Sequence, residues 1–112
     1  MRIDNSADIR GLRNIMRTAL VVADEIWKAH GRKEGVTITC GLNGVHSARS
    51  LHPCGLEVDL RTRYWVNRVD QVSVFSELQT QLKSIDPNYG VQLEADHIHM
   101  QWKPPHELRH YY

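Results

Sequence analysis

Tyr89-Gly90-Val91-Gln92-Leu93-Glu94-Ala95-Asp96-His97-Ile98-His99-Met100-Gln101-Trp102 is the stretch that decides the fold. Tyr89, Val91 and Leu93 alternate with Gln92 and Glu94, and Ile98, Met100 and Trp102 alternate with His97, His99 and Gln101, which is the period of half-buried strands. Ala95-Asp96 leaves two residues to reverse the chain, the spacing of a hairpin. That register sets Glu94 opposite His97 and Gln92 opposite His99. Successive strand side chains point to opposite sides, so Glu94, His97 and His99 share one polar face.

The same period recurs upstream. Leu56, Val58 and Leu60 alternate with Glu57, Asp59 and Arg61, and Val36, Ile38 and Cys40 alternate with Thr37 and Thr39, making four strands in all. Elsewhere the period is helical. Ile9, Leu12, Ile15, Met16, Ala19, Leu20, Ala23, Ile26 and Trp27 mark a helix over residues 8–30 that Gly31 closes. Val66, Val69, Val72, Phe75, Leu78, Leu82 and Ile85 mark a second, stopped by Asp86-Pro87-Asn88. The expected fold is α+β: a small antiparallel sheet, two main helices packed on one face, and a polar site with Asp59, Glu94, His97 and His99 on the other.

The 112 residues fit a single domain, residues 1–112, with 103–112 as a surface tail or oligomer contact carrying His106, His110, Tyr111 and Tyr112 behind Pro104-Pro105. A net charge of +1 gives no pull toward nucleic acid, and Arg61, Arg63 and Arg68 are too few for a binding stripe. No run is long and apolar enough for membrane insertion, and residues 1–8 carry Asp4 and Asp8 where a signal peptide needs an apolar segment, so a cytoplasmic chain is expected. In that compartment Cys40 and Cys54 are expected as free thiols.

The chemistry is concentrated in Ser50-Leu51-His52-Pro53-Cys54-Gly55-Leu56-Glu57-Val58-Asp59 and in His97-Ile98-His99. Together they offer imidazoles and a carboxylate, the donor set of a catalytic zinc site that keeps one position for water. His-x6-Asp alone is weak evidence, and His-x-His arises often by chance; the combination is what carries weight. Cys54 reads either as a nucleophile or as a small buried thiol, and Tyr64 and Trp65 either as groove walls or as core residues.

Ser50-x-His52-x-x-Gly55-x-x-x-Asp59 with Asp96-His97-x-His99 resembles the M15 class of zinc peptidases, which includes D-alanyl-D-alanine carboxypeptidases, murein endopeptidases and phage L-alanyl-D-glutamate endolysins and shares its fold with the hedgehog signalling domain. The resemblance implies one Zn²⁺ held by His52, Asp59 and His99. It also implies a general base at Asp96, three residues before the last ligand, or at His97, with Glu94 where some relatives carry another catalytic histidine. Strand alternation favours His97 and Glu94 for that role, whereas the resemblance favours Asp96, with His97 stabilising the oxyanion. The implied substrate is a peptidoglycan stem peptide cut at a bond involving a D-amino acid, and the implied source a phage or prophage cell-wall hydrolase released to the wall by a holin, or a virion component that cuts the wall. A non-catalytic metal-binding module of the same fold is the alternative.

Two positions depart from the pattern. Glu57 stands where relatives carry alanine, and Cys40-Gly41-Leu42 stands where many have a substrate-binding arginine. Ser50, His46 and Arg49, in the loop before the motif strand, are the candidates for substrate binding.

Overall fold

In a computed structural model, residues 1–5, 7–41 and 55–105 are described. The elements in chain order are β1 (Arg2–Ile3), α1 (Asn14–Ala29), β2 (Thr37–Cys40), β3 (Glu57–Arg61), α2 (Arg68–Ile85), β4 (Tyr89–Leu93) and β5 (His97–Trp102). The strands form one sheet in the order β1-β2-β3-β5-β4. β4 and β5 make the expected hairpin, with Gln92 opposite His99 and the Glu94 N–H donating to the His97 carbonyl at 2.9 Å. β3 lies between β2 and β5 and pairs antiparallel with both.

Strand parity divides the sheet into a core face and a site face. Ile38, Val58, Leu60, Ile98 and Met100 are fully buried against Met16, Ala19, Ala23 and Trp27 of α1 and Val74, Leu78 and Leu82 of α2. Asp59, His97 and His99 lie on the other face and are half-buried. Trp27 closes the core while donating its indole N–H to the Arg61 carbonyl at 3.1 Å, which satisfies the one polar group this large side chain brings inside.

Four expectations need correcting. The sheet has five strands and is mixed, because β1 pairs parallel with β2; two exposed residues carry no periodicity to betray a strand. α1 starts at Asn14 rather than near residue 8: Ile9 and Leu12 pack on the core from turns, and the N-cap, Arg13, has no side chain able to cap. Cys40 leaves the apolar set, because a bulge between Ile38 and Cys40 shifts the register and sets Cys40 opposite Asp59.

The fourth concerns α2, whose buried positions are Gln71, Val74, Leu78 and Leu82. Val66 and Val69 are 97% and 71% exposed, and Val72 and Ile85 are exposed too. Val66 precedes the helix, and a series at constant spacing three drifts by about 60° per step on a helix of about 3.6 residues per turn, so residues 69 to 78 cannot share one face. The 3-4-4 spacing of 71, 74, 78 and 82 can. Gln71 is tolerated inside because its amide donates to the Trp65 carbonyl and accepts from Arg68.

Tyr64 and Trp65 are structural. Trp65 meets Trp27 edge to face with centroids 5.5 Å apart and donates to the His30 carbonyl, and the Tyr64 ring stacks under the Arg32 guanidinium at 3.9 Å.

Gly35 and Asp24 form a second fixed point. Asp24 is buried, accepts from the Val36 N–H at 3.0 Å and pairs with Lys28 at 3.0 Å, while Gly35 has φ +78° and leaves no room for a Cβ against the Asp24 carboxylate. Burial works to raise the Asp24 pKa, but the Val36 and Lys28 bonds outweigh it and hold it below the ordinary carboxylate value. A depressed folded-state pKa gives stability that is present above the unfolded value and lost as pH falls through the folded one. Asp24→Asn is therefore expected to cost about 1–3 kcal/mol at pH 7 and progressively less toward pH 2, read as converging urea midpoints of the two proteins.

Candidate metal centre

Asp59 and His99 are direct cross-strand partners in the β3–β5 ladder, and His97 lies two residues before His99 opposite Arg61. Side chains so placed project from the same face. His99 Nδ1 lies 2.7 Å from Asp59 Oδ1, and His97 Nε2 lies 4.0 Å from the same oxygen. One donor atom from each of Asp59, His97 and His99 falls within 4.8 Å of the others, so the three can hold a metal ion.

The far ring nitrogens fit that use. His97 Nδ1 is 2.8 Å from Asp96 Oδ1, and His99 Nε2 is in contact with the Glu57 carboxylate. The carboxylate behind His97 Nδ1 leaves Nε2 on the Asp59 side, whereas His99 has a carboxylate at each ring nitrogen, Asp59 at Nδ1 and Glu57 at Nε2. Two imidazole nitrogens and a carboxylate oxygen are donors that suit zinc.

Charge in the cluster is strongly negative. Burial acts to lower the His99 pKa, but its bond to Asp59 and the charges of Glu57, Asp59 and Glu94 prevail and raise it. The Asp96 carboxyl lies below its ordinary value chiefly because of its bond to His97, helped by Arg63, so it is ionised at neutral pH. Burial, then Asp59 and Glu57, push the Cys40 thiol up, so at neutral pH this thiol is protonated rather than a thiolate ligand.

Of the residues expected at the site, the fold brings together Asp59, Asp96, His97 and His99. Glu94 ends the β4 side of the hairpin, its charge acting on His99 and its carbonyl accepting from Arg68 at 2.9 Å. His52, Ser50, His46, Arg49 and Cys54 lie outside the described residues. Gly55, the glycine of the motif, has φ +74° and sits against the Gly11 carbonyl, where a Cβ has no room. Sequence reasoning treated Glu57 only as a departure from the pattern. Its parity with Asp59, two residues on, was the available sign that it faces the site.

Openings flank the cluster on both sides. A cleft of 260 Å³ is lined by Asp4, Thr39, Arg61, Arg63, Asp96 and His97, and a shallow pocket of 100 Å³ by Gly90, Val91, Gln92, His99 and Gln101. A larger cavity of 400 Å³ around Lys83, Asn88 and Lys103 contains no imidazole or carboxylate.

No family model, curated protein or solved structure matches this chain. The site therefore rests on its own residues. Among the described residues no helix is long and apolar enough to cross a membrane.

If Glu57 orients His99, Glu57→Ala is expected to lower zinc affinity about 10–100-fold, the usual cost of losing an outer carboxylate, with Glu57→Gln recovering part of it. Competition against a chromophoric chelator measures this. Unchanged affinity in Glu57→Ala would remove Glu57 from the site.

Proposed function

We propose that this chain is a zinc-dependent peptidase that hydrolyses an amide bond in a peptidoglycan stem peptide, as a phage or prophage cell-wall hydrolase. The observation that carries the reading is the cluster of Asp59, His97 and His99 donor atoms within 4.8 Å on an open sheet face, with the ionised Asp96 bonded to His97 beside a cleft. The spacing of Ser50, His52, Gly55 and Asp59 and of Asp96, His97 and His99, similar to the M15 class, supports the substrate and the hedgehog-like fold.

Asp59 and His99 would hold the ion, with His52 as third ligand by resemblance. Zinc, when bound, polarises the scissile carbonyl and makes water a nucleophile near neutral pH. Asp96 is 70% exposed at the rim, free to take a proton and return it to the leaving amine. His97, held by Asp96 at Nδ1, presents Nε2 on the Asp59 side, and as an imidazolium it would donate Nε2–H to a developing oxyanion. Glu94 adds negative charge that favours a cation at the cluster.

The test is incubation of zinc-loaded protein with purified peptidoglycan, reading new amino and carboxyl termini with and without a chelator. Chelator-sensitive release is expected. Zinc binding without any release would instead favour a non-catalytic metal-binding module.

A further inference from the structure

Three guanidinium groups meet in a second cleft, which the metal centre does not use. Its 260 Å³ lie at the β1 end of the sheet, and its lining includes Arg2, Asp4, Arg32, Thr37, Arg61 and Tyr64. Three arginine charges against one carboxylate leave a net +2 around the opening. Asp4 accepts from Arg61 Nη2 at 2.9 Å and so offsets only one of the three.

Each arginine is positioned in a way that leaves donors over. Arg32 lies over the Tyr64 ring at 3.9 Å, a contact made by the face of the guanidinium and not by its N–H groups, and the Glu34 carboxylate is 3.9 Å from Arg32 Nη2, beyond hydrogen-bond length. The Arg32 backbone is pinned at both ends, its N–H donating to the Trp27 carbonyl at 3.0 Å and its carbonyl accepting from the Gly35 N–H at 2.8 Å. Arg2 stands opposite Thr37 in the β1–β2 pairing and donates its backbone N–H to the Val36 carbonyl at 2.8 Å. Its guanidinium has no hydrogen-bond or ion-pair partner among the described residues. A separate sign comes from inside the wall. Arg32 Nε and the Tyr64 hydroxyl are buried and have no hydrogen-bond partner among the described residues. Buried polar atoms are nearly always paired, so this cleft is short of acceptor oxygens.

A tetrahedral dianion supplies what is missing. A phosphoryl group carries about two negative charges near neutral pH and three acceptor oxygens, enough to serve guanidinium groups converging from several directions. A carboxylate carries half that charge and is served by a single guanidinium. We propose that the cleft of Arg2, Arg32 and Arg61 binds a phosphoryl dianion, as orthophosphate or as a phosphomonoester. This goes beyond the peptidase reading and does not depend on it. Asp4 and Arg61 also line the cleft beside His97, so the phosphoryl site adjoins the metal centre without sharing its ligands.

The test is calorimetry at constant ionic strength, without added zinc, with orthophosphate, glycerophosphate, dimethyl phosphate and acetate as probes. Saturable binding of a dianion is expected with Kd about 1 mM or tighter. Tighter binding of glycerophosphate than of orthophosphate makes the ligand an ester, and the reverse order makes it the free ion. Arg32→Ala should weaken binding about tenfold or more, whereas Arg63→Ala, an equal loss of charge in the adjoining cleft, should stay within about twofold. Arg2 is exposed on an edge strand, so Arg2→Ala, also expected to weaken binding, serves if Arg32→Ala does not fold. Asp59→Ala should bind as the natural chain does. Loss of binding in Asp59→Ala would put the anion at the metal centre and overturn the cleft site. So would the absence of saturation by either dianion, equal binding of dimethyl phosphate or acetate, or equal losses in Arg32→Ala and Arg63→Ala.

Discussion

Asp59→Ala is expected to abolish zinc binding at micromolar protein, with affinity falling more than about 100-fold, beyond the 10–100-fold expected for an outer partner such as Glu57. The reason is geometric. Asp59 Oδ1 lies near both imidazoles, 2.7 Å from His99 Nδ1 and 4.0 Å from His97 Nε2, so removing it takes away the anionic oxygen the two nitrogens share. The readout need not be activity. A ligand that binds only the folded state at about 100 times its dissociation constant stabilises by about 2.7 kcal/mol, which for a domain of this size is a rise in Tm of roughly 10 °C. Zinc should produce that rise in the natural chain and none in Asp59→Ala. Asp59 is bonded to His99 and raises its pKa, so the metal-free variant should melt somewhat below the metal-free natural chain, and the quantity compared is the zinc-induced shift of each protein. Equal zinc-induced shifts in the two proteins would remove Asp59 from the ligand set and with it the cluster on which the function rests.

How much of this was legible in the sequence depends on which periodicity carried the information. The parity of β3, β4 and β5 was readable because the strand period is two and each strand buries one side, which placed Asp59, His97 and His99 together before any coordinates. Parity fails silently at a bulge. Nothing in the composition near Ile38 and Cys40 marks the register shift that moves Cys40 next to Asp59. The α2 stripe misled for the opposite reason: the valines at 66, 69 and 72 are regular, but their regularity is not that of a helix face. Arg63 was set aside in the sequence as one of too few cations for a nucleic-acid surface. The fold sets it on the wall of the cleft beside His97. Burial and pairing are properties of the site, and a count of charges contains neither.

Asp96→Asn is the sharpest separation of chemistry from metal holding. Asparagine keeps the size of the side chain and an oxygen that can accept from His97 Nδ1, so the imidazole stays oriented while the capacity to take a proton is lost. Turnover is expected to fall about 10²–10⁴-fold, the range for loss of a general base, with zinc affinity within a few-fold of the natural chain. Asp96 is 70% exposed, so stability should move by no more than about 0.5 kcal/mol. His97→Ala is the necessary partner experiment, because His97 touches both Asp96 and the cluster around Asp59. In the mechanism proposed, it loses turnover but holds zinc, and His97→Ala combined with Asp96→Asn is little worse than the more damaging single change, because residues acting as a unit are not additive. If His97→Ala instead loses zinc as Asp59→Ala does, His97 is a ligand and Asp96 is its outer carboxylate. Asp96→Asn would then weaken zinc as well, and the proton acceptor would have to be sought at Glu94.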